Sequence, residues 1–166
     1  MCVLLEAAGP AVYAAADQSL AMLPAELPML AKVESLEAEL LKMEQVHCPL
    51  EHRFAPGVYL REIFMPKGAF VIGHEHRTEH FNIVLRGKAV VMMEGQIHKI
   101  AAPSTFVSRP GVRKVLYIEE DCVWQTVHPT EETDLLKLER LLINHSATYI
   151  QHAADLEQLK LALQTA

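Results

Sequence analysis

Between Cys48 and Pro129 the chain breaks into short apolar runs, GVYLREIFM, AFVIGHEH, HFNIVLR, KAVVMME, STFVS, RKVLYI and CVWQTVH, rich in Val, Ile, Phe and Tyr. Branched and aromatic side chains suit a pleated, half-buried surface. Turn formers separate the runs: APG, PKG, RG, EG, AAP, RPG and the acidic EED. Seven short strands at such regular spacing hide their apolar faces by stacking two sheets or by closing one, so this zone predicts a sandwich or barrel.

The flanks have a different period. Met29, Val33, Leu36, Leu40 and Met43 recur at alternating spacings of four and three, with Lys and Glu between them, which predicts an amphipathic helix packed on its own domain or on a partner subunit. After Pro129, Thr130 can cap a helix whose first turn carries Glu131, Glu132 and Asp134 and whose apolar face is Leu135, Leu138 and Leu142. DLEQLKLALQ predicts a last helix. The expected organisation is therefore an Ala-rich arm and helix over 1–47, a barrel over 48–129 and helices over 130–166.

At 166 residues and 51% hydrophobic content, the chain suits one domain with a sizeable core. A formal charge of −6 with scattered basic residues lacks the positive footprint that nucleic-acid binding needs. The three cysteines, Cys2, Cys48 and Cys122, form no CxxC pair and suggest a reducing, cytoplasmic setting. The apolar N-terminus imitates a secretory signal but has no basic leader. Glu6, Pro10 and Asp17 interrupt it short of the roughly 18 apolar residues of a membrane span.

Chemistry concentrates in GAFVIGHEHRTEHFNIVLRG, where three of nine histidines, His74, His76 and His80, fall within seven positions. Strand alternation puts Phe70, Ile72, His74 and His76 on one face, and His80, opening the next strand, can face them. Three converging imidazoles suit Fe, Ni, Mn, Zn or Cu and leave coordination positions open. The alternative is a surface hairpin whose inward face is the other one.

The spacing of Gly68, His74, His76, His80 and Gly87 resembles the first motif of the cupin family, GxxxxxHxHxxxExxxxxxG, with His80 in place of the glutamate and Glu79 one position early. The second motif, GxxxxxPxGxxHxxxN, is poorly kept. Gly95 can start it and Pro110-Gly111 retains a Pro-Gly pair, but Lys114 stands where the last histidine ligand belongs and the asparagine is absent. The resemblance spans roughly residues 56–129. More narrowly, CPLEHRFAPGVYLREIFMP, HEHRTEHFNIVLRG and FVSRPGVRKVLYI resemble small stand-alone cupins of bacteriophages and bacteria. What the resemblance implies is a mainly β fold, the double-stranded β-helix or jelly-roll barrel, with an N-terminal helix and C-terminal helices. It also implies a divalent metal, Fe, Ni, Mn or Zn, and small cupins with three histidine ligands and no carboxylate form a recognised class.

A protonated lysine repels a cation, so Lys114 turns away, is neutral, or yields its place to another ligand. His128 is the candidate. If RKVLYI and CVWQTVH form a hairpin around Glu119-Glu120-Asp121, Lys114 pairs with Thr126 and Val112 with His128, and His128 shares Lys114's face and barrel end; a two-residue turn would flip it outward. Trp124 shares the face of His128. Lys114 pairs with Glu79 or another carboxylate, lies exposed, or faces a cavity with a depressed pKa. His47, His52, His98, His145 and His152 lack partners at ligand spacing, and Cys48 and Cys122 read as apolar fillers.

Two functional classes follow. One is a metal-binding cupin handling a small molecule, with His74, His76, His80 and His128 around the ion and Glu79 or Lys114 moving a proton. The other is a non-enzymatic phage or bacterial accessory module that binds a ligand or protein, its metal structural or absent. Neither involves nucleic acid or membrane. The apolar composition leads us to expect a homodimer in the cytoplasm, the host's if phage-encoded.

Overall fold

The computed structural model describes residues 3–5 and 29–164; the Ala-rich arm and Cys2 lie outside the described residues except for 3–5. Helix α1 is Met29–Leu40, α2 Leu135–Leu142 and α3 Ala147–Gln164. The strands are β1 (Val3–Leu5), β2 (Leu50–Ala55), β3 (Val58–Met65), β4 (Phe70–Ile72), β5 (Glu75–His76), β6 (His80–Met93), β7 (Gln96–Ala101), β8 (Ser104–Ser108), β9 (Lys114–Pro129) and β10 (Ile143–Asn144).

Two of these strands organise the barrel. β9 pairs antiparallel with β6 along one edge, and with β4 and β3 along the other. The far edge of β6 pairs with β8 through His80–Val84 and with β7 through Lys88–Met93. β2 extends β3, and β1 extends β4. HFNIVLR and KAVVMME, which the sequence presents as separate runs, are thus one strand. RKVLYI and CVWQTVH are likewise one strand, so the hairpin and its Lys114–Thr126 register do not form. Thr126 pairs instead with Asn82 on one side and Arg61 on the other.

The reason lies at Gly87. Arg86-Gly87 is a bulge within β6, where the register against β9 shifts. Gly87 has φ +87°, and a Cβ there would lie 2.3 Å from the Asp121 carbonyl oxygen and 2.7 Å from that of Glu120. Both long strands bend where their backbones touch. The extra residue also resets alternation: His80, Asn82 and Val84 are buried before the bulge, Ala89 and Val91 after it.

Inside the barrel, Ile63, Met65, Val71, Val84, Val91, Ile118, Cys122 and Trp124 form the main core. On the outside, Val33, Leu36, Leu40 and Leu41 pack on Ile72 and Val115, so α1 covers the sheet. Among them sits a carboxylate, Glu37, with no exposure at all. Arg113 meets it through Nη2 at 2.8 Å and Nη1 at 3.3 Å and also donates from Nε to the Gly73 carbonyl, while Ser146 Oγ donates to the same carboxylate. A buried ion pair of this kind costs several kcal/mol when one partner is removed, about 3–5 kcal/mol in general. It ties α1, the β4–β5 link and the start of α3 together. The third cluster, Tyr59, Leu138 and Leu142, seats α2 over one mouth of the barrel. Asp134, rather than Thr130, caps α2, accepting from the Lys137 amide at 3.0 Å.

Gly87→Ala meets both a disfavoured backbone angle and a backbone collision. It should lower stability by at least about 2 kcal/mol, read as a lower urea midpoint; an unchanged midpoint would show that the bend does not depend on this contact.

Candidate metal centre

Three strands deliver one imidazole each to the mouth beneath α2. His76 lies on β5, His80 opens β6, and His128 is the penultimate residue of β9. All three are buried, and one nitrogen from each lies within 4.8 Å of the others. Ring centroids are 4.1 Å apart for His76–His80, 4.8 Å for His80–His128 and 5.1 Å for His76–His128. The group could hold a metal ion.

The state of their nitrogens is compatible with such a role. His80 Nδ1 lies 3.0 Å from the Thr78 carbonyl, which can only accept, so Nδ1 carries the proton and Nε2 the lone pair. That Nε2, with Nδ1 of His76 and of His128, is buried without a hydrogen-bond partner. An orphaned buried polar atom costs about 1–3 kcal/mol, and a cation is one partner that satisfies three lone pairs at once. Burial keeps the rings neutral: it lowers His80 from 6.5 to about 4, against the Thr78 carbonyl, and His128 to about 3, with help from His80, Arg61 and Lys114. His76 is depressed further, by burial first and then by its two histidine neighbours and Lys114. Neutral imidazoles are the form that binds metal.

The backbone around His76 is held from several sides. Ile143 pairs with His76 and Asn144 with Glu75, so β10 forms a short sheet with the strand that carries His76. The Arg77 amide donates to the Leu142 carbonyl at 2.8 Å, and the Gly111 amide to that of His76 at 2.9 Å. The Gly73 amide donates to the Lys114 carbonyl at 2.9 Å. RPGVRK, which departs from the second cupin motif, therefore clamps the histidine segment.

His74 does not join the other three. Its ring meets His145 edge-on at 4.6 Å and Tyr149 at 4.7 Å, with both nitrogens buried and unpartnered. His74 stays on the side of Phe70 and Ile72, and it is His76 that departs from that face, because β4 stops at Ile72 and β5 starts at Glu75. Contrary to the expectation that their face lines the barrel, Phe70 and Ile72 pack outward beneath α1, and Val71 points into the barrel. Burial takes His74 to about 2. Lys114 is buried in the wall of an inner cavity rather than exposed, and Glu79 is exposed.

Two cavities adjoin the triad. An outer one of about 260 Å³ is lined by His74, His76, His128, Tyr59, Arg61 and leucines of α2. An inner one of about 60 Å³ includes His76, Arg61, Lys114, Thr126 and Trp124. Trp124 is fixed there by Nε1 donating to Asn82 Oδ1 at 3.1 Å, and Asn82 in turn donates to Ser108 Oγ at 2.9 Å. Sequence reasoning did not single out Arg61, Glu139 or Tyr149, and it read His52 and His145 as ordinary surface or hydrogen-bonded residues without a partner at ligand spacing. Alternation along VYLREIFM places Arg61 with Tyr59, Ile63 and Met65, a signal available in the residues. His52, whose Nδ1 is 2.7 Å from the Tyr59 hydroxyl, and His145, 3.3 Å from Glu139, come from elements beyond the motif.

No protein-family profile matches the chain, and no curated protein matches it in sequence. Among solved structures, it is similar to an RmlC-like cupin with a double-stranded β-helix fold from Methanocaldococcus jannaschii, at 15% identity and TM-score 0.44 over 50% of this chain and 80% of that one. It is similar to the cupin domain of Cnp3 from Schizosaccharomyces pombe at 18% identity and TM-score 0.43, covering 57% and 74%. A cupin-2 domain protein from Shewanella frigidimarina is 16% identical with TM-score 0.43, covering 55% and 90%. The architecture, mainly antiparallel β with helices at both ends and organised on two long strands that pair along both edges, is consistent with a double-stranded β-helix.

Proposed function

We propose that this chain is a metal-binding cupin that holds one divalent transition ion on His76, His80 and His128 and receives a small molecule in the adjoining outer cavity. The observation that carries the reading is the convergence of three buried imidazoles whose free nitrogens have no protein partner. When bound, the ion would supply Lewis acidity at coordination positions that the protein leaves open.

The residues of the chain do the rest. The Thr78 carbonyl fixes the tautomer of His80. β10 and Gly111 hold the backbone of His76. Leu135, Leu138 and Leu142 of α2 limit water over the cavity. Buried Lys114 is better placed than exposed Glu79 to move a proton inside, and this supports Lys114 as the acid–base group if the site turns substrate over. Three ligands beside a cavity favour this reading over an accessory module with a closed structural metal. Exposed Leu136, Leu141, Leu159 and Leu163 on α2 and α3 support a homodimer, and light scattering that returned a monomer would remove that part. Among the described residues, no helix is long and apolar enough to cross a membrane.

Elemental analysis of protein purified without an affinity tag should find about one equivalent of metal. His76→Ala or His128→Ala should weaken its retention by more than about 100-fold, whereas His74→Ala should keep it. Equal metal in the parent and in His76→Ala, or loss in His74→Ala alone, would overturn the ligand set.

The metal-free protein should be most stable above pH 6.5, where folded and unfolded chains both hold neutral imidazoles. Below it, the unfolded chain takes up protons that the buried rings refuse, so stability falls as pH drops from 6.5 towards 4 and 3. Thermal melts across this range check the sign; a melting temperature that rises on acidification would contradict it.

A further inference from the structure

Strand β2 forms an edge. It pairs with β3 along one side, and among the described residues no strand lies along the other. The Phe64 amide donates to the Pro49 carbonyl at 3.1 Å, so alternation turns the backbone groups of Glu51, Arg53 and Ala55 towards β3 and those of Leu50, His52 and Phe54 away from it. The side chains are open too: Leu50 is 36% exposed and Phe54 42%. Leu50 and His52 line the outer cavity, and Phe54 stacks on Tyr59 at 5.3 Å, so this face borders the barrel mouth. Leu135 of α2, 45% exposed, lines the same cavity and extends the apolar surface. A row of outward amides and carbonyls beside exposed apolar side chains is a template for another strand.

We propose that two copies of this chain dimerise by pairing their β2 strands antiparallel about His52. The inference rests on the homodimer reading above and names its interface. What selects a second copy as the occupant is that the edge is complementary to itself. In LEHRF, read about His52, Leu50 mirrors Phe54 and Glu51 mirrors Arg53. An antiparallel copy aligned on His52 therefore sets Leu50 against the partner's Phe54 and Glu51 against the partner's Arg53, and the twofold axis repeats both contacts. The same alignment places the outward-facing Leu50, His52 and Phe54 opposite one another, as the antiparallel ladder requires. A slip of one residue loses those bonds, and a slip of two sets Glu51 on its own copy or Arg53 on its own copy, like charge on like. Within one chain Arg53 also reaches Glu51 and, at 3.2 Å, Glu62, so the partner's Glu51 joins a charge network rather than a lone pair. Because Leu50 belongs to the wall of the outer cavity, Phe54 of the partner subunit completes that side of the ligand space.

The test measures self-association of the untagged full-length protein at low salt by sedimentation equilibrium, with amide hydrogen exchange alongside. The parent should be a dimer. Glu51→Arg and Arg53→Glu alter exposed side chains and set like charges across the axis, so each should weaken the dimer at least tenfold with an unchanged circular dichroism spectrum. Mixing the two variants should restore association, because each copy then carries the charges that the other needs; no effect within a single chain gives that result. The amides of Leu50, His52 and Phe54 should exchange slowly in the parent dimer and fast in the dissociated variants. A dimer that survives both substitutions, or a mixture that associates no better than either variant, would overturn the β2 interface and leave the homodimer standing. A parent that stays monomeric would overturn both. Slow exchange of those three amides in dissociated variants would show that another segment of the same chain, such as residues 6–28, covers the edge, and would also overturn the interface.

Discussion

The antiparallel contact between β6 and β9 is the constraint on which the rest of the molecule depends. Each strand is too long to stay flat in a small twisted barrel, so each bends, and they bend at the same place, Gly87 against Glu120 and Asp121. Before the bend, β9 lies beside β4; after it, beside β3. One strand thereby carries Lys114 at its start and His128 near its end, and the curvature returns both to the same mouth. Straight strands would place those two residues at opposite ends of a sheet, and the third imidazole of the site would be lost.

This geometry explains what the residues alone disclosed. The barrel was legible because half-buried strands alternate and their turns use Gly and Pro. Helix α1 was legible from its apolar period, except for Glu37, which occupies a core position that a charge should avoid; its partner Arg113 lies 76 residues away, and no local rule links them. His76 and His80 followed from motif spacing. His128 was reached through a hairpin that does not exist, because the inward face of β9 is the same whether the chain turns back or runs straight on: the three residues from Glu119 to Asp121 preserve the parity of Ile118 and Cys122. His74 was misplaced because the face of Phe70 and Ile72 was taken to line the barrel; that face packs beneath α1 with Tyr149, and only His76, past the break between β4 and β5, joins the inner histidines.

Burial of the triad sets stability against function. Three adjacent neutral rings with orphaned nitrogens are a poor way to fill a core, and aliphatic side chains would pack the same space with no desolvation cost. The fold tolerates them because the surrounding backbone is fixed independently: β10 on His76, Thr78 on His80, Tyr59 beside His128. None of these supports engages His76 Nδ1, His80 Nε2 or His128 Nδ1, which are buried without a hydrogen-bond partner. The arrangement resembles a preorganised ligand set, in which positional order is established before an ion arrives.

The C-terminal segment couples that order to the cavity above it. α2 supplies apolar lining through Leu138 and Leu142, and the chain leaving α2 immediately pairs with the strand bearing His76. Ser146, at the start of α3, then joins the Glu37–Arg113 pair that holds Gly73. Displacing α2 would therefore do more than open a lid: the Leu142 carbonyl would release the Arg77 amide, and β10 would pull on His76. Access to the cavity and the position of the His76 backbone are mechanically linked, so a displacement of α2 moves both.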